Sequence, residues 1–216
     1  MRRAILPLLL AITPAMGQPP TSEPAPLDAA EGVTATPEEK AVVLEINRIR
    51  KYPKAYADYL KALRKYFDGT LWRLPNRIPI RTNEGAAALD EAVAFLESVP
   101  PREPLAFSES LFRSALELVR EQGPTGQTGH KGPTGSTMQD RIARQGPVGV
   151  CGEIINYGPE VPRMTMLQLV IDDGVPDRGH RRNIFDPDFR IAGAATGSHK
   201  TYGTMTVVDM ADGFKD

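Results

Sequence analysis

The chain has 216 residues, with 26 Lys and Arg against 27 Asp and Glu and a formal net charge of −1. That balance excludes the basic footprint of a nucleic-acid binder, and nothing after the N-terminal apolar run is long and apolar enough to span a bilayer. The length suits one domain with a substantial core, and a single cysteine, Cys151, excludes an internal disulfide; its expected state is a small buried apolar side chain rather than a reactive thiol.

The N-terminus reads as an export signal over residues 1–17. Arg2 and Arg3 supply the charge, Ala4 to Ile12 a short apolar run, and Ala15-Met16-Gly17 the small residues of a cleavage site. No lipoprotein cysteine follows, so the expected product is secreted or periplasmic and free of a lipid anchor. Residues 18–36 form a Pro-rich spacer with almost no large apolar side chain, read as disordered, and the folded domain is assigned to residues 37–216.

Thr36-Pro37-Glu38-Glu39 places a capping hydroxyl, a first-turn proline and a carboxylate at the third helical position ahead of Val42, Val43, Ile46 and Ile49. A second helix is predicted from Pro53 to Phe67, then an irregular stretch over 68–82. A third helix is predicted from Asn83 to Val99, ended by the prolines at 100, 101 and 104. Ser108 caps a fourth, predicted to run through Gln122 and stop at Gly123. After a Gly-, Thr- and Pro-rich loop carrying His130 comes a short helix, Thr137 to Gln145. The period then changes: strands are predicted at Val148 to Tyr157, Phe189 to Thr196 and Tyr202 to Met210, with a helix from Thr165 to Asp173 between the first two. Helices first and strands later give an α+β domain with an antiparallel sheet.

Asp172 and Asp173 fall in the last turn of a predicted helix, where the negative dipole end disfavours each anion by about 0.3–1 kcal/mol, so a cation is expected beside them. The candidates are the arginines at 178, 181 and 182, a metal ion or a protonated His180. His180, in Arg178-Gly179-His180-Arg181, is read as a loop imidazole available as ligand or base. The arginines are expected to pair with Asp172, Asp173, Asp177, Asp186 and Asp188. Glu153 stands inside an apolar strand, and alternation puts Cys151, Glu153 and Ile155 on one face. His199 is expected to be exposed in a turn. No Gly-x-Ser-x-Gly elbow, phosphate loop, dinucleotide fingerprint or His-Glu-x-x-His helix occurs.

The ordered series Asn47-x-x-Arg50-x-x-Pro53, Tyr56-Ala57, Gly129-His130, Gly135-Ser136, Arg141-Ile142, Gly152-Glu153, Asp172-Asp173-Gly174-Val175, Arg178-Gly179-His180-Arg181, Asn183-Ile184-Phe185 and Tyr202-Gly203 resembles the bacterial branch of the CAP superfamily (cysteine-rich secretory proteins, antigen 5 and pathogenesis-related proteins; SCP domain). The resemblance covers about residues 38 to 214. It implies an α-β-α sandwich around a central antiparallel sheet. It also implies a cavity lined by two histidines and two acids, which in some relatives holds Zn²⁺ or another divalent cation.

Carried over, the metal ligands are His130, Glu153, Asp172 and His180, with Asp173, Arg178 and Asn183 beside the cavity. Departures are Ile154 where asparagine is common, a second acid one methylene short, and no paired cysteines. Three functions are thereby expected as alternatives. The first is an exported binding domain for a divalent cation and a lipid or peptide ligand. The second is a metal-dependent hydrolase with Glu153 as catalytic base, and the third is an interaction module for an envelope or extracellular component.

Overall fold

The computed structural model describes residues 35–158 and 161–214. The export signal and all but the last two residues of the spacer lie outside the described residues. The chain runs α1 (Pro37–Lys51), α2 (Pro53–Leu63), a 3-10 turn (Arg64–Tyr66), β1 (Phe67–Asp68), β2 (Leu71–Trp72), β3 (Ile80–Arg81), α3 (Ala86–Ser98), β4 (Ala106–Phe107), α4 (Glu109–Thr125), α5 (Met138–Ala143), β5 (Cys151–Tyr157), α6 (Pro162–Ile171), α7 (Gly179–Ile184), β6 (Ile191–His199) and β7 (Gly203–Ala211).

The central sheet has the order β4-β6-β7-β5. β7 pairs antiparallel with both β5 and β6, and the two-residue β4 adds a parallel edge to β6. Side chains alternate across it. Ile154, Ala192, Ala194, Val208 and Met210 meet α1, α2, α3 and α6 on one face. On the other, Ile155, Ala195, Met205 and Val207 meet Phe112, Ala115, Leu118 and Val119 of α4. Helices thus cover both faces, which is the α-β-α sandwich.

The first helix begins as the sequence predicts. Thr36 Oγ1 accepts from Glu39 N while the Glu39 carboxylate accepts from Thr36 N at 2.8 Å, a reciprocal cap. The motif that follows holds the layers together. Asn47 exchanges two bonds with the Leu105 backbone, and buried Arg50 donates to the carbonyls of Glu103, Ile184 and Asp186.

Several expectations need correction. The second helix stops at Leu63, and Phe67 opens a small three-stranded sheet, β1-β2-β3, inside the stretch read as irregular; its ring stacks on Trp72 with centroids 5.4 Å apart. Two-residue strands carry too little pattern to register as period two. Gly123 does not stop α4, which runs on to Thr125 with Gly126 as its cap. A Cβ at Gly123 would lie 2.4 Å from the Ser198 carbonyl oxygen, so the missing side chain permits contact with β6. Residues 179–184 form α7 instead of a loop, and β6 extends to His199. His199 is buried: Nε2 donates to the Gln127 carbonyl and Nδ1 accepts from the Thr201 and Tyr202 amides.

Candidate functional site

Glu153 is positioned by β5, on the α4 and α5 side of the sheet as alternation requires, and is 5% exposed. Its Oε1 accepts from His130 Nδ1 at 2.8 Å and its Oε2 from the fully buried guanidinium of Arg141 on α5. His130 is held by its backbone. Tyr157 Oη accepts from Gly129 N at 2.9 Å, Gln122 Nε2 donates to the carbonyls of Gly129 and Lys131, and Arg141 donates to the His130 carbonyl. Gly129 takes φ 95°, open to glycine and strained for other residues, so the loop can turn there.

Asp172 is buried and caps α6 in the left-handed conformation, φ 60° and ψ 39°. The expected dipole conflict is resolved by this turn, which aims the carboxylate away from its own helix and at the start of α7. Oδ2 accepts from Arg181 N at 3.0 Å and Oδ1 from His180 Nδ1 at 2.7 Å. Because carboxylates only accept, each imidazole carries its proton on Nδ1 and keeps Nε2 for an outside group. Gly152, the partner of Glu153 in the Gly-Glu pair, has a packing reason. A Cβ there would meet the Phe189 ring at 2.8 Å and Asn183 at 3.3 Å, and Asn183 Nδ2 donates to the Glu153 carbonyl.

The four residues expected to share one cation stand as two imidazole–carboxylate pairs. His130, Glu153 and Asn183 line one cleft, and Asp172, Asp173 and His180 line another of about 340 Å³. Among the described residues no group of three or more His, Cys, Asp or Glu side chains is placed to hold a metal ion. Both oxygens of each carboxylate are already committed to an imidazole and to an arginine side chain or backbone amide, so the set does not fit a cation held by all four.

Asp173 is a turn cap, accepting from the amides of Asn83 and Glu84. The arginines find partners other than those expected. Arg178 pairs with Glu84 and Glu91, Arg181 with Glu91 and the carbonyls of Val170 and Ile171, and only Arg182 takes an expected acid, Asp177. The Arg178 guanidinium, with the Gly174 amide, holds Glu84 down at about 2. Cys151 is part-buried beside the His130 cleft, and burial pushes its thiol up, which fits an inert side chain.

Two participants escaped sequence reasoning. Arg141 occupied a motif without an assigned role, and Asp209 sits opposite Glu153 on β7 with no exposure. Burial, then the neighbouring Glu153 charge, pushes Asp209 well above the usual carboxylate range. The signal was present as an acid inside Val207-Val208-Asp209-Met210-Ala211, the same anomaly that singled out Glu153.

A profile of the cysteine-rich secretory protein family (CAP) matches residues 101–210. Among solved structures the chain is similar to an outer surface protein from Borrelia burgdorferi, at 21% identity and TM-score 0.41 over 50% of this chain and 76% of that one. It is also similar to an extracellular protein containing an SCP domain from Bacillus anthracis, at 18% identity and TM-score 0.41 over 56% of this chain and 37% of that one. Among curated proteins nothing matches.

Proposed function

Because the chain belongs to the cysteine-rich secretory protein family, we propose that it is an exported binding domain whose ligand sits in the cleft beside the Asp172–His180 pair. The observation that carries this reading is the state of the acids. Glu153, the candidate general base, has both oxygens engaged, one by a buried guanidinium, and is poorly placed to take a proton from water. The cleft offers apolar walls from Ile80, Leu169 and Val175 and a His180 Nε2 free to meet a guest. Export rests on the pattern of residues 1–17.

Ligand-observed NMR with a panel of small amphipathic compounds tests the reading. Compounds that bind are expected to lose their signal change in Thr82→Trp, which plugs the cleft mouth, and to keep it in His130→Ala, which alters the other cleft. Indifference to Thr82→Trp would remove the proposed location. Thermal melts with zinc and with chelator address the metal-based alternatives. The melting temperature is expected to stay unchanged in both, since a native-state metal site would raise it with zinc.

A further inference from the structure

The hairpin between β2 and β3 carries charge of one sign and an apolar tip. Residues 69–83 hold Arg73, Arg77 and Arg81 and no Asp or Glu, within a chain whose formal net charge is −1. The base of the hairpin is anchored, for Trp72 and Leu74 lie in the core and Ile80 packs against it. The tip is not. Residues 75–79 are exposed throughout, and Ile78, at 89%, is the most exposed large apolar side chain among the described residues. Prolines at 75 and 79 fix φ, Asn76 turns left-handed at φ 58° and Arg77 N donates to the Leu74 carbonyl, so the tip is shaped before it meets anything. Lys65 stands exposed on the adjoining 3-10 turn, whose Tyr66 carbonyl accepts from Arg73 N at 2.7 Å. The nearby acids are already engaged. Asp68 pairs with Arg73 at 3.0 Å, both side chains more than half exposed, a contact worth little in water; beyond Arg81, Glu84 is taken by Arg178 and Asp173 by the Asn83 and Glu84 amides.

We propose that this hairpin docks the protein on an anionic phospholipid surface, with Ile78 passing between the headgroups and Lys65, Arg73 and Arg81 meeting their phosphates. The proposal does not depend on what the His180 cleft holds. A folded protein partner needs a broad apolar patch, on the order of 800 Å² a side, and one isoleucine among cations offers none. A bilayer needs only a protruding apolar residue backed by long basic side chains, because their stems lie along apolar surface while the charged heads stay at the headgroups. Each such cation is worth about fivefold in affinity near an anionic leaflet, so a neutral bilayer is expected to hold the protein poorly.

The full chain is sedimented with vesicles of phosphatidylcholine alone and with phosphatidylglycerol mixed in. Binding is expected with the anionic vesicles only, weakening as salt is raised. Because Arg2, Arg3 and the apolar run after them also favour such vesicles, the deciding readouts are local to the hairpin. Ile78→Asp is expected to weaken binding at least tenfold, and Lys65→Gln combined with Arg73→Gln severalfold. All three side chains are exposed, so these variants are expected to melt as the wild type does. Ile78→Trp adds emission at the tip, which brominated phosphatidylglycerol vesicles are expected to quench more strongly than that of the parent chain, whose single tryptophan, Trp72, is buried. Ile78→Asp sedimenting like the wild type, or no added quenching in Ile78→Trp, would overturn the proposal. Soluble polyphosphate bound as tightly as the vesicles, with no loss in Ile78→Asp, would assign the hairpin to soluble anions and overturn the membrane.

Discussion

Asp209 shows how one side chain can be structural and costly at once. A carboxyl group with no exposure, beside the Glu153 charge, is pushed toward its protonated form, whereas the unfolded chain would release the proton near an ordinary pKa of about 3.9. The sign follows from linkage: an acid with a raised folded-state pKa leaves stability unchanged below the unfolded pKa and lowers it progressively as pH rises above that value. Asp209→Asn, neutral and nearly isosteric, is therefore expected to match the wild type near pH 3 and to melt higher at pH 7, measured by thermal melts across that range. Glu84 runs the other way. Its pKa of about 2 means that its contribution is present above the ordinary glutamate range and lost as pH falls through the folded value.

At the scale of elements, α4 lies on β6 at unusually close range. A Cβ at Gly193 would stand 2.0 Å from the Phe112 backbone nitrogen, and at Gly197 2.4 Å from Val119, so β6 presents bare backbone where the helix crosses. Gly193→Ala forces the helix off the sheet and is expected to cost about 3 kcal/mol in chemical denaturation, at the upper end of ordinary overpacking. The same contact explains what sequence could and could not reveal about α4. The Ser108 cap was legible because capping is local. The true end was not, because Gly123 looks like a stop until the Ser198 carbonyl pressing on it is known. Likewise α7, six residues beginning at a left-handed Arg178, had no apolar period to read; its start is set by Asp172, outside the helix.

The whole molecule is tied through Arg50, which joins α1 to the chain at Glu103 and to the end of α7. Burial lowers this guanidinium to about 10, still charged at neutral pH. Arg50→Lys keeps the charge but cannot serve the three carbonyls together, and a loss of about 2 kcal/mol is expected by denaturant unfolding. The layered architecture was legible because long amphipathic helices and the two longest strands carry strong periods, and because motif order resembled a family. That order named His130, Glu153, Asp172 and His180 as one set of four; their standing as two imidazole–carboxylate pairs was not legible from it. Side-chain commitments such as Arg141 on Glu153 arise only when distant strands and helices meet.

The left-handed turn at Asp172 has one more implication, for dissecting the His180 pair by substitution. The conformation is one that Asn and Asp adopt readily and glutamate resists, so the short acid is what lets α6 end within reach of the imidazole. Asp172→Asn would preserve the turn and remove the charge, whereas Asp172→Glu would preserve the charge and strain the turn. Shape and charge, inseparable at most buried acids, can here be varied one at a time.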